Sequence, residues 1–255
     1  EDIDCIIHLA AIIPPASDAN PELARKVNVG GTTNLLNAAK MQPKQPKFIF
    51  ASSIATYGHC KGDGPPRTAD DPQIATDPYT EHKIECEGLV KNSGLPWTIV
   101  QFGVVTPLRI GLSIPPIMFD VPLEQRIEFV HTRDIGLACA NAVAADTIGK
   151  VLLLGGGERC RMTYREMVMR MLEAMGVGML PDSAFITPTC DEEWFHTDFM
   201  DTEESHRLLQ FQTRTLEDFI EEFKQEMGIK RHLARLFRPL VRRYLISKSP
   251  YHKQG

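Results

Sequence analysis

The sequence predicts an α/β fold, a doubly wound and mainly parallel sheet, and three observations carry that expectation. Short apolar runs at 3–9, 48–51, 97–102 and 151–154 alternate with helical patterns of about a dozen residues or more, which is how successive βαβ units read. The run at 48–51 empties into Ser52 and Ser53, so a buried strand delivers hydroxyls to the sheet edge, where open α/β sheets bind ligands. Tyr79 and Lys83 follow four residues apart on the next helical stretch and share one of its faces.

In chain order, the first strand leaves through Leu9-Ala10-Ala11 into a loop with Pro14-Pro15, and those small residues let a ligand approach the backbone. A helix is expected from Pro21, placed at the first helical position after Asn20, to Lys40, with Leu23, Val27, Leu35, Leu36 and Ala39 on its apolar side. Gly30 and Gly31 fall inside that pattern and are read as close helix–sheet packing, not as a phosphate loop. After the Ser52-Ser53 edge and the Tyr57-Gly58 turn, a Gly-, Pro- and Asp-rich loop leads to a helix over 79–92 that Gly94 caps. The third strand ends at Gly103. Past Pro107 the Pro-rich segment Ile114-Pro115-Pro116 has no period; a short strand over 127–130 then precedes a helix near Asp134, read as its cap, with Ile135, Ala138, Cys139, Ala142 and Val143 on one side. Gly155-Gly156-Gly157 reads as a structural turn, and Thr163 with Glu166 as a capping box.

Composition bounds the function. At 255 residues, 43% apolar and 24% charged, the chain is an ordinary globular one, which excludes disordered and fibrous classes. The six cysteines are scattered with no Cys-x-x-Cys, so neither disulfides nor a metal centre is expected, and a reducing, cytoplasmic setting is. No apolar run reaches the ~18 residues of a membrane span. The net charge of −5 divides into +8 over 229–255, which holds no acid, and −13 elsewhere. No nucleic-acid partner is expected. Ile229, Leu233, Leu236, Phe237, Leu240, Val241, Tyr244 and Leu245 recur at helical spacing among the tail arginines, with Pro239 kinking the helix or starting a second one. Such a tail suits peripheral contact with an anionic membrane through 229–255, or docking on the protein's own acidic body or on a second subunit in a homodimer. Three regions are therefore expected: an α/β unit over 1–107, a mixed region over 108–228 in which elements of the first return, and the basic tail over 229–255.

Ser53, Tyr79 and Lys83 form a proton-handling set. A tyrosine near its free pKa of ~10 is a poor base, and a neighbouring ammonium stabilises its phenolate, while a serine hydroxyl can hold the substrate oxygen in line. Ser53 and Tyr79 lie 26 residues apart. The ordered series His8-Leu9-Ala10-Ala11, Val27-Asn28-Val29-Gly30-Gly31-Thr32, Ser52-Ser53 to Tyr57-Gly58, Tyr79 to Lys83, Phe129-Val130-His131 to Asp134, and Gly156-Gly157-Glu158 resembles the extended short-chain dehydrogenase/reductases of the NAD-dependent epimerase/dehydratase group. The resemblance implies a Rossmann-like sheet with a small C-terminal substrate region, so that 1–107 is a partial dinucleotide-binding unit and 108–228 binds substrate. It implies Tyr79 as the acid/base, Lys83 as its tuner and a holder of the nicotinamide ribose, and Ser53 as the substrate-orienting hydroxyl. Leu9, Ala10, Ala11 and Asn28 would line NAD or NADP, with Phe102 and Gly103 near the nicotinamide, and the substrate would be a nucleotide sugar or another alcohol or carbonyl compound. His8 reads as a satisfied core histidine, Ser52 as a structural neighbour of Ser53, and Asn28 has a structural alternative as a backbone cross-link. Trp194 and His196 read as solvated surface or a domain contact.

The departures point elsewhere. No glycine-rich turn of the Gly-x-Gly-x-x-Gly kind opens the chain, which starts at what resembles the family's fourth strand, so an N-terminally incomplete fold is expected, from truncation or as a natural variant. Gln101-Phe102 stands where the family has Arg-Pro, and the stretch between Pro107 and Phe129 is short for a nucleotide-holding insertion. A non-catalytic binding or scaffold protein that has lost the cofactor site is the rival class.

Overall fold

The computed structural model describes residues 3–108 and 116–252, which leaves Ile114, Pro115 and Lys253 outside the described residues. Its strands are β1 (Cys5–His8), β2 (Lys47–Ser53), β3 (Trp97–Phe102), β4 (Arg126–Glu128), β5 (Lys150–Leu154) and β6 (Arg161–Thr163). Helices α1 (Ala16–Ala19), α2 (Pro21–Arg25), α3 (Gly31–Lys40), α4 (Pro78–Lys91) and α5 (Thr132–Ala144) accompany the first five strands. The C-terminal half adds α6 (Tyr164–Ala174), α7 (Glu203–Leu209), α8 (Leu216–Met227), α9 (Ile229–Leu236) and α10 (Arg238–Ile246).

The main sheet runs β1-β2-β3-β5, all parallel, and a second pair, β4-β6, is antiparallel. The residue-by-residue alternation of β2 explains why helices cover both faces: Phe48 and Phe50 pack with Leu36, Ala39, Cys86 and Val90 of α3 and α4, while Ile49 and Ala51 pack with Ala138, Cys139 and Ala142 of α5. Phe48 and Phe50 are at most 2% exposed, and truncating either to alanine would cost about 3–5 kcal/mol. A separate core forms where β4 and β6 meet α6 and α8, around Phe119, Phe129, Phe185, Phe219 and Phe223. No helix among the described residues is long and apolar enough to cross a membrane.

Several local expectations are corrected. The helix over 21–40 is interrupted by a π turn at Lys26–Gly30. A Cβ added at Gly30 or Gly31 would meet nothing within 4 Å, so close packing on the sheet is not what these glycines do. Asp134 does not cap α5; that role falls to His131, whose Nδ1 accepts from the Arg133 amide. Asp134, fully buried, instead accepts from the amides of Thr213 and Arg214 and from their side chains, clamping the 213–214 turn onto α5. Thr163 caps α6 by accepting from the Glu166 amide, but the Glu166 carboxylate turns to Arg170, so only half of a capping box forms. The triple glycine is a packing requirement: side chains at Gly155 and Gly156 would run into Glu128, Met200, Phe129 and Cys160. Pro239 starts the second tail helix.

Candidate active site

Helix α4 begins at the carboxyl edge of the sheet because Asp77 and Thr80 cap it reciprocally. The Thr80 amide donates to Asp77 Oδ1 at 2.7 Å, Thr80 Oγ1 accepts from the Asp77 amide at 3.0 Å, and Pro78 occupies the first turn. From that start, Tyr79, Lys83 and Glu87 fall on one stripe facing β2 and β3. Ser53, at the end of β2, has its Oγ accepting from the Ala55 amide at 3.2 Å, and its side chain lies near enough to Tyr79 to draw the phenol's pKa down. Lys83 is 5% exposed; its Nζ donates to the Ala51 carbonyl at 2.6 Å and lies 4.8 Å from the Phe50 ring centroid and 5.7 Å from that of Tyr79. Strand end and helix thus bring all three residues together.

The electrostatics differ from the expectation that the ammonium lowers the phenol. Burial holds Tyr79 above its ordinary range, the Ser53 side chain pulls it back in part, and the Asp77 carboxylate adds to the rise. The physical reason is where the ammonium goes: it is directed at a backbone carbonyl of β2. Burial also pushes Lys83 down to about 8, opposed by Cys86 and Glu87.

Behind Lys83 lies a polar chain that local patterning missed. Glu87, 1% exposed, accepts from Gln101 Nε2 at 2.8 Å and Gln73 Nε2 at 3.0 Å, with Lys91 at 3.4 Å; Tyr57 in turn donates to Gln101 Oε1 at 2.6 Å. Gln101 thereby meets the buried carboxylate with a neutral amide. Burial, with Glu87 nearby, pushes the Tyr57 phenol far up, so it stays a donor. The spacing 79, 83, 87 was the available signal for Glu87.

The cofactor-side candidates separate into two groups. Leu9, 54% exposed, Ala10 and the half-buried Ala11 form an open ledge beyond the end of β1. Beside it, Asn28 sits in the π turn, its Oδ1 accepting from the Ile12 amide at 2.7 Å and its Nδ2 donating to the Ile12 carbonyl at 2.9 Å, so the carboxamide sets the course of the loop after β1. One turn on, Thr32 spends its proton on the Asn28 carbonyl at 2.6 Å, which makes His8 Nε2 the donor in its 3.0 Å bond to Thr32 Oγ1. His8 is the satisfied core histidine expected. Phe102 is half-buried at the end of β3, and Gly103 leaves no room for a side chain: a Cβ there would meet Met200 Cε at 2.6 Å and the Glu128 carbonyl at 2.9 Å. Trp194 and His196 belong to an internal contact. The Trp194 carbonyl bonds His59 Nδ1 at 2.6 Å, and His196 stacks on Phe195 at 4.1 Å while the 195–201 backbone bonds Cys60 and Arg67. Among the described residues no three His, Cys, Asp or Glu side chains are grouped to hold a metal ion.

With parallel sheet, hydroxyl edge and Tyr79–Lys83 helix in place, the comparisons with known proteins can be set beside them. Residues 1–109 match the model of the NAD dependent epimerase/dehydratase family. Over 105 residues the chain is 37% identical to a UDP-glucose 4-epimerase of Lacticaseibacillus casei, covering 41% of this chain and 29% of that protein. A D-erythronate dehydrogenase of Haemophilus influenzae is 31% identical over 93 residues, 36% of this chain and 29% of the relative. The match thus spans under a third of the length of these relatives. The fold likeness reaches further: the crystal structure of a UDP-glucuronic acid 4-epimerase from Bacillus cereus, in complex with UDP-glucuronic acid and NAD, superposes with a TM-score of 0.71 over 89% of this chain and 76% of that one, at 21% identity.

The residues present fit a dinucleotide at one end. The ledge of small residues leaves room beside the sheet, and the Lys83 ammonium, with three protons, has one acceptor in Ala51.

Proposed function

We propose that this chain carries the proton-handling part of an NAD(P)-linked epimerase/dehydratase or oxidoreductase that works at a hydroxyl-bearing carbon, with a nucleotide sugar as the substrate class. The observation that carries the reading is the grouping of Ser53, Tyr79 and the buried Lys83, whose Nζ lies 5.7 Å from the Tyr79 ring centroid, at the carboxyl edge of a parallel sheet. When bound, the nicotinamide supplies the hydride acceptor and donor. Ser53 Oγ holds the substrate oxygen, and Tyr79 Oη takes its proton as the carbon is oxidised and gives it back in the reverse direction. Lys83, cationic below about pH 8, lies 5.7 Å from the Tyr79 ring centroid and would stabilise the phenolate only by turning from the Ala51 carbonyl toward Tyr79 once the cofactor is bound. Leu9, Ala10, Ala11 and Lys83 would hold the cofactor, Asn28 would keep their loop in place through Ile12, and Phe102 and Gly103 would close the nicotinamide side. The epimerase and dehydratase among the similar proteins act on UDP- and dTDP-linked sugars, which supports that substrate class.

Denaturing the purified protein and separating the supernatant by chromatography should release NAD or NADP, and the refolded protein should bind the same nucleotide on titration. With a panel of UDP- and dTDP-sugars, Tyr79→Phe should abolish turnover. The absence of both release and binding of a nucleotide would sink the proposal. It would favour the rival reading, a non-catalytic binding protein, which one observation supports: Tyr79 is held above its ordinary range while Lys83 is turned to Ala51.

A further inference from the structure

Helix α9 has a sharply divided sequence, with Ile229, Leu233 and Leu236 on one side and Lys230, Arg231 and Arg235 on the other. In a helix docked on its own protein the apolar side faces inward. Here Ile229 is 74% exposed, Leu233 50% and Leu236 72%, and the strip continues through Phe237 at 51%, Leu240 at 67% and Tyr244 at 52%. The tail is nevertheless fixed. Ala234 and Leu245 are buried, Arg238 Nε donates to the Val177 carbonyl at 2.8 Å, and Arg242 Nη1 donates to the carbonyls of Gly178, at 3.1 Å, and Met179. Farther on, Ser249 Oγ donates to the Ala184 carbonyl and Tyr251 to Asp120 at 2.7 Å. Two arginines thus satisfy the carbonyls that follow α6, and the greasy side of the tail is turned outward by structured contacts.

We infer that this strip is a peripheral binding surface for an anionic membrane leaflet, with the six apolar side chains entering the interface and the long side chains of Lys230, Arg235, Arg243 and Lys248, which are not spent on the carbonyls after α6, reaching round to lipid phosphate and carboxylate groups. Charge decides the occupant. The 229–255 stretch carries +8 and no acid, so the same face of a second copy would bring like charges together, whereas an anionic leaflet complements both the charge and the apolar strip. Docking on the protein's own acidic body is set aside by the exposure of the strip itself.

The test is co-sedimentation of the full chain with vesicles of phosphatidylcholine alone and of phosphatidylcholine with phosphatidylserine, at low and high salt. Binding should be confined to the anionic vesicles and fall steeply as salt is added. Leu233→Ser with Leu236→Ser, and separately Arg235→Gln with Arg243→Gln, should each weaken it at least about ten-fold while the thermal melt stays in place. Equal pelleting with both vesicle types, no pelleting at all, or full retention by both double variants would overturn the inference. A concentration-dependent dimer in sedimentation velocity, abolished by L233S/L236S in a protein that ignores vesicles, would instead assign the strip to a second copy.

Discussion

Helices α4 and α9 treat their side chains in opposite ways. α4 buries an ammonium, a carboxylate, a threonine and a histidine against the sheet, whereas α9 leaves isoleucine and two leucines in water. The sequence of α9 looks like the better packed helix and that of α4 like the worse. Amphipathy states that a helix wants an apolar partner; it does not state which one. The two charged groups survive inside α4 because each meets a partner of matching chemistry, Lys83 the Ala51 carbonyl and Glu87 the Gln101 amide, while His82 Nδ1 is buried without a hydrogen-bond partner.

That contrast can be broken or sharpened experimentally. The largest effect is expected at Tyr79: Tyr79→Phe should lower turnover by about 10²–10⁴-fold in steady-state assays without moving the thermal melt, and retained activity would remove the phenol from the proton path. Next comes the pH dependence of Lys83. Its pKa in the folded state, about 8, lies below that of the unfolded chain, so between those two values the unfolded state holds more protons and stability must rise with pH. The difference in urea-unfolding free energy between the wild type and Lys83→Met should therefore shift in favour of the wild type across that window, by at most about 3 kcal/mol. A flat difference would mean that the ammonium is solvated. Glu87→Ala removes the acceptor of the buried Gln101 amide and of the half-buried Gln73 amide, and should cost about 1–3 kcal/mol in the same unfolding measurement. The smallest effect is assigned to α9: Leu236→Ser should change stability by no more than about 0.5 kcal/mol, since its side chain is already in water, and a larger loss would show that the strip is covered.

Much of the N-terminal fold could be read from local pattern, because β1, β2, β3 and the helix carrying Tyr79 and Lys83 each have their own periodicity and end signals. That Ser53, Tyr79 and Lys83 come together in space was legible for the same reason: Ser53 closes an apolar run, and Tyr79 and Lys83 stand one helical turn apart. What escaped was held by distant partners. Gln101 and Tyr57 are 44 residues apart and nothing near either announces their bond; Asp134 looked like a cap because acids often cap, and only the approach of the 213–214 turn gives it another task. Gly30 and Gly31 were misread because glycine in a helix has several uses and packing is only one of them. The tail illustrates the converse case, in which the pattern was clear and the direction it faces was not.

The π turn at Lys26–Gly30 fixes a phase. Each residue of a helix advances its side chain by about 100°, so the wider turn decides the bearing of everything after it. Asn28 must point at Ile12 while Thr32, one turn later, must point at His8, and the wider turn lets one rod satisfy both bearings. Deleting Val29 would turn Thr32 by about 100° relative to Asn28 and swing one of the two off its mark, so the number of residues in this stretch, as much as their kind, sets the β1 loop.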